Sequence, residues 1–147
     1  MKISPRTRAR RLAMQGLYEW HVAHNSVQNI ETQFLIEKET KNVDTPYFRE
    51  LLTKVVEYVD ELDDYIKPHL DRSLDEVDPV ECAILRLGAY ELAKRLDIPY
   101  RVVINEAVEL AKVFGADQGH KFVNGIMDKL AVKLRHAEIA ARSASKS

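Results

Sequence analysis

Residues 79–95, PVECAILRLGAYELAKR, constrain this chain more than any other stretch. Asp78 and Pro79 read as a helix start: an N-cap that accepts a backbone hydrogen bond, then a residue whose missing N–H costs nothing in the first turn. From there Cys82, Ala83, Ile84, Leu85, Leu87, Ala89, Tyr90 and Leu92 leave almost no polar face. A helix that is apolar nearly all round has to be surrounded by other elements. This segment is therefore a hub, and the rest of the chain must supply its cover.

That cover is helical. The chain has only five glycines in 147 residues, strand-type alternation is nearly absent, and helical spacing recurs, so the fold class is all-α. A first helix starts at Ser4–Pro5 and ends around Ala23–Asn25. A second runs from about Val27 to Glu39, with Ile30, Phe34 and Leu35 inward. The polar connector Lys41–Thr45 leads to Pro46, capped by Asp44 or Thr45. The helix that follows buries Leu51, Leu52, Val55, Val59, Leu62 and Ile66 and stops before Pro68. Residues 69–77 are acidic and irregular, with at most a turn near Ser73–Glu76.

After the hub, Pro99 opens a helix carrying Val103, Ala107, Leu110 and Phe114 on its inner stripe, and Gly115 closes it as a C′ residue. The last strongly periodic helix spans about Gln118 to Arg135, with Val123, Ile126, Met127, Leu130 and Leu134 buried. The expectation is about seven helices in two small packed bundles, one at about 4–67 and one at about 78–135. Residues 136–147 lack apolar periodicity and are expected to form a flexible tail.

Charge is distributed unevenly. Residues 1–18 carry five basic side chains and no acid, residues 19–91 carry 17 acids against 7 bases, and residues 92–147 carry 10 bases against 6 acids. Both ends are positive around an acidic middle, which suits one local nucleic-acid face and leaves the middle free for a basic partner. In the first helix, at about 100° per residue, Ala9, Leu12, Ala13, Gly16, Leu17 and Trp20 gather on one side. Arg11, Gln15 and Tyr18 form a stripe opposite, flanked by Arg8, and Arg6 and Arg10 lie at a border of the apolar face. Guanidinium groups, an amide and a ring suit phosphates and unpaired bases. Basic residues at a helix N-terminus are also ordinary surface decoration, although the macrodipole does not favour them there.

No P-loop, GxGxxG, HExxH or cysteine cluster is present, so neither a catalytic residue nor a metal or cofactor is assigned. His21 and His24 share a helix without a third ligand. Cys82, the single cysteine, reads as a core thiol, excludes an internal disulfide and fits a reducing cytoplasm. No apolar run of about 18 residues marks a membrane span, and no secretory signal is expected. Glu81 falls among Leu85, Gly88 and Leu92 on the helical wheel; an edge salt bridge and a groove-lining acceptor for RNA bases or a partner both fit. Phe122, beside Lys121, reads either as core or as a second aromatic–cation pair.

Four blocks carry a family resemblance: RARRLAMQGLYEW at 8–20, AILRLGAYEL at 83–92, IPYRVVINEAVELAKVFG at 98–115 and HKFVNGIMDKLA at 120–131. Together, in this order, they resemble the NusB family of bacterial transcription antitermination factors, over about residues 1–135. The resemblance implies two packed helical bundles that bind the boxA element of ribosomal RNA leader transcripts as a single strand. It implies binding together with NusE, a small-subunit ribosomal protein, and joining RNA polymerase with other Nus factors. The implied RNA contacts are Lys2, Arg6, Arg10, Gln15, Tyr18, Lys121 and Phe122, with Glu81 near a shared RNA–partner region; Arg8 and Arg11 extend the set. Thr7 stands where some relatives carry arginine, and Gln118 where relatives carry an acid. Monomer and homodimer both stay open.

Two other readings compete. A similar helical domain precedes the catalytic domain of a ribosomal RNA cytosine methyltransferase, but no methyl-donor-binding α/β segment is present here. Alternatively the chain is a protein-interaction module whose arginines are incidental.

Overall fold

In a computed structural model, which describes residues 3–146, each cap-plus-proline signal starts a helix. Helix α1 (Pro5–Ala23) is capped by Ser4, whose hydroxyl accepts from the Thr7 N–H at 3.1 Å. Ser26 caps α2 (Val27–Glu37) and Asp44 caps α3 (Thr45–Glu57) in the same way. Asp78 accepts from the N–H groups of both Val80 and Glu81 at the start of α5 (Pro79–Lys94). Each such bond satisfies a donor that the first helical turn leaves open.

The single helix expected before Pro68 is two: α3 and α4 (Val59–Ile66), separated at Tyr58. No proline or glycine marks the break, and the buried stripe Leu51, Leu52, Val55, Leu62, Ile66 runs across it, so periodicity alone does not show it. Two 3₁₀ turns, Lys67–His69 and Leu74–Glu76, connect α4 to α5. They are followed by α6 (Tyr100–Phe114) and α7 (Gly119–Leu134).

Helices α1–α4 pack on one another and α5–α7 form the second group, with α5 against α1, α3 and α4 on one side and α6 and α7 on the other. The hub expectation holds: every α5 side chain from Glu81 to Leu92 is buried, and one continuous core joins both bundles through it. Gly88 lets α7 approach, because a Cβ there would lie 2.6 Å from Met127 Cε.

Residues 136–146 form an eighth helix, α8 (His136–Lys146), in place of the expected loose tail. Its first turn is held by polar contacts that hydropathy does not register. Arg135, buried at the end of α7, donates to the backbone carbonyls of Glu91, Leu92, Arg95 and Ile98 at 2.7–3.1 Å and pairs with Glu138. A cation placed on the open carbonyls of α5 also complements its dipole. Glu138 in turn accepts from the Tyr100 N–H at 3.0 Å, supplying the cap that Pro99 cannot give α6. Gly115 is a second correction. Its backbone is extended, not left-handed, and glycine is needed because a Cβ would meet the Ala111 carbonyl oxygen at 2.6 Å.

Candidate nucleic-acid interface

The arginines of α1 divide by depth. Arg10, expected on an RNA face, is an interior residue with 3% exposure. Its guanidinium donates from Nε to both oxygens of Glu91 at 3.0 Å and faces Glu106 at 3.3 Å. The Tyr47 hydroxyl donates to the same Glu91 carboxylate. Burial pushes the Arg10 pKa down, and the Glu91 carboxylate, with Tyr47 and Glu106, more than reverses it, leaving it raised. The border position seen on the helical wheel is thus inside once α5 covers it, and Arg10 neutralises an acid of the hub helix.

Arg6 stays about half exposed, lying over the Tyr47 ring at 4.5 Å with Asp44 3.8 Å away. Arg8 is half-buried, and its Nε meets no hydrogen-bonding partner. Arg11 lines a surface groove with Ser4, Thr7 and the α6 residues Asn105, Glu106 and Glu109. The Thr7 hydroxyl donates to Glu106 at 2.7 Å, which ties α1 to α6. Gln15 donates to the Arg11 carbonyl at 3.2 Å, and Tyr18 is 39% exposed. Lys2 lies outside the described residues.

Tyr18 and Gln15 line one cavity together with Val80 of α5 and Phe114 of α6. Next to Val80, Glu81 is 8% exposed, and its side chain has no hydrogen bond among the described residues. It reaches the start of α7: a Cβ on Gly119 would sit 2.7 Å from Glu81 Oε2. Burial, then the neighbouring Asp78, pushes the Glu81 carboxyl above its usual range, against a smaller pull from Arg72. Of the two readings of Glu81, the edge salt bridge is not formed. Gln118 enters α7 with left-handed backbone (φ 68°) and no side-chain cap.

Phe122 is half-buried and Lys121 exposed on the first turns of α7. The Arg72 guanidinium stacks over the Phe122 ring at 5.0 Å while its Nε holds Asp71 at 2.9 Å. Arg72, Val80 and Phe114 were missed by sequence reasoning. Arg72 sits in an irregular segment without periodicity, Val80 was given no role, and Phe114 read as core. A path then runs from Arg11, Gln15 and Tyr18 across Val80 and Glu81 to Gly119, Lys121 and Phe122.

The histidine pair at the end of α1 lies elsewhere. His21 and His24 line a cavity with Trp20 and Arg86. Among the described residues no group of three His, Cys, Asp or Glu side chains could hold a metal, and no helix is long and apolar enough to cross a membrane.

Fold and surface together define an all-helical protein of two packed bundles, with cations and aromatic rings gathered where α1, the start of α5 and the start of α7 meet. Residues 7–132 match the model of the NusB family, and the chain belongs to that family. The transcription antitermination protein NusB of Actinobacillus pleuropneumoniae serotype 5b (strain L20) is 56% identical over 134 residues, covering 91% of this chain and 98% of that one. The solved structure of T. maritima NusB is similar with a TM-score of 0.76 at 34% identity, covering 89% of this chain and 92% of that one. A crystal structure of antitermination factors NusB and NusE in complex with dsRNA is similar with a TM-score of 0.75 at 31% identity, covering 84% and 93%.

Proposed function

We propose that this chain promotes processive ribosomal RNA transcription by binding the boxA element of the leader transcript together with NusE, within an antitermination complex of RNA polymerase and other Nus factors. It acts by binding and positioning, without chemistry of its own. The observation that carries this reading is the path from Tyr18 through Glu81 to Phe122, which offers two rings, exposed cations and an unpaired carboxylate along one side. Rings stack on any unpaired base, cations take phosphates, and a carboxylate accepts from base amino and imino groups. Such a surface suits a single strand, whose bases are free to turn toward it. Arg6, Arg8, Arg11 and Gln15 contribute at its α1 end, and Lys2 belongs to the same set. Arg10 contributes only through the fold.

The test is a gel-shift titration with a boxA RNA, with and without NusE, followed by sizing of the free protein to separate monomer from homodimer. Tyr18→Ala and Phe122→Ala should each weaken binding by about 1–3 kcal/mol, the range for loss of one stacked base. The same sequence paired into a duplex should compete poorly. Unchanged affinity in the Tyr18→Ala, Phe122→Ala double variant would remove the surface from consideration. Partner binding that RNA does not enhance would favour the protein-interaction reading.

A further inference from the structure

Beyond Phe122, α7 carries two further cations, Lys129 and Lys133, that the path above does not use. Lys121, Lys129 and Lys133 are all exposed, and none of their ammonium groups has an ion pair or hydrogen bond among the described residues. Lys54, Lys94 and Lys112 are by contrast paired with Glu57, Glu61 and Glu109, while the exposed Lys41 and Lys67, far along the chain from α7, also lack a side-chain partner among the described residues. Steps of four residues advance about 40° round a helix, so Lys121, Gly125, Lys129 and Lys133 trace one slowly turning stripe about 18 Å long. Nothing lies within 4 Å of a Cβ built on Gly125, so the stripe has an open notch at its middle.

The notch opens into a cavity of about 250 Å³ lined by Lys121, Phe122, Gly125, Lys129, Asp71 and His69. That is below the roughly 300–1,000 Å³ of enclosed small-molecule sites, and it suits part of a chain passing over it. Asp71, the one carboxylate on its wall, is taken by Arg72. His69, at the end of the first 3₁₀ turn, has a buried Nε2 with no hydrogen-bonding partner. Burial, then the ammonium groups of Lys133 and Lys129, hold its imidazole below the usual range, so it stands neutral with one nitrogen able to donate.

We propose that this stripe and cavity seat the RNA backbone past the base on Phe122, with phosphates on Lys129 and Lys133 and a ribose–phosphate unit over Gly125 against His69. The proposal rests on the RNA-binding reading of the Tyr18–Phe122 surface and extends its footprint along α7.

The experiment measures binding of boxA RNAs, full length and trimmed stepwise from each end, across a salt series. Lys129→Gln combined with Lys133→Gln should lower the slope of log K against log salt by about 1.4, the effect of two single-strand phosphate contacts. Near 0.15 M salt that is about a tenfold loss. The loss should vanish for RNAs trimmed at one end only, because those no longer reach the stripe. His69→Phe keeps the ring's volume and removes Nε2; a loss of about fivefold on full-length RNA is expected, as for one hydrogen bond. If the lysine variant keeps the wild-type slope while Phe122→Ala still weakens binding, the extension is wrong and the proposed function stands. If Tyr18→Ala and Phe122→Ala are silent as well, both fall. A variant that lowers NusE co-binding with no change in the RNA slope would assign the stripe to protein and overturn the proposal.

Discussion

Replacing Arg10 by methionine separates a structural from an RNA-contacting role. The substitution keeps most of the stem's volume and removes the guanidinium. What remains is Glu91, 1% exposed, with Tyr47 as its hydrogen-bond donor and no cation. Three Arg10–Glu91 approaches at 3.0 Å and one to Glu106 at 3.3 Å are lost together. Breaking a buried pair by removing one partner costs about 3–5 kcal/mol, because the other charge stays buried. At about 2–4 °C per kcal/mol for a chain of this size, Tm should fall by about 6–20 °C in thermal denaturation followed by circular dichroism. Adding Glu91→Leu should restore much of the loss, since an apolar pair of similar volume often matches a buried ion pair. The salt slope of RNA binding, measured well below the lowered Tm, should equal that of the wild type. A stability loss under about 1 kcal/mol, or a slope lowered by the ~0.7 expected for one phosphate contact, would refute the assignment of Arg10 to the interior.

Two further outcomes follow from particular contacts. Burial pushes the Cys82 thiol up to about 11. A raised acid pKa means that the folded chain binds the proton more tightly, so stability should fall as pH rises from about 9 to 11, by up to about 2–3 kcal/mol in urea titrations. In the same range a thiol reagent should label Cys82 at the rate of global unfolding; rapid labelling at pH 8 without unfolding would contradict its burial. Gly119→Ala should push the Glu81 carboxylate off the start of α7, since the new Cβ would sit 2.7 Å from Oε2, a side-chain end that is free to swing. Stability should change by less than about 1 kcal/mol while RNA affinity drops, and equal affinity would mean that Glu81 has no part in binding.

Much of the fold is legible from local rules. Ser4, Ser26, Asp44 and Asp78 start helices because each offers an oxygen to an open N–H, and such bonds span only a few residues. The all-round apolar character of residues 79–95 places α5 at the centre without reference to any tertiary contact. The break at Tyr58 was not legible, because the buried stripe continues across it. Nor was α8, which is held by Arg135 and Glu138 through contacts to α5 and α6.

The surface was legible in parts. Tyr18 lies exposed on the outward stripe that helical spacing gave it, while Phe122, which read either as core or as an aromatic–cation pair with Lys121, is half-buried. The four sequence blocks brought the NusB family into view, and the family match bears that out. Two decisions belong to tertiary structure alone. One is the fate of Arg10: a wheel position at the edge of an apolar face is buried or wet according to what packs beside it. Here α5 arrives with Glu91. The other is proximity, since Glu81 meets Gly119 and Arg72 meets Phe122 across 38 and 50 residues of chain. Periodicity reports which way a side chain points from its own helix. It carries no information about which helix it faces, and the charge that decides Arg10's role comes from that neighbour.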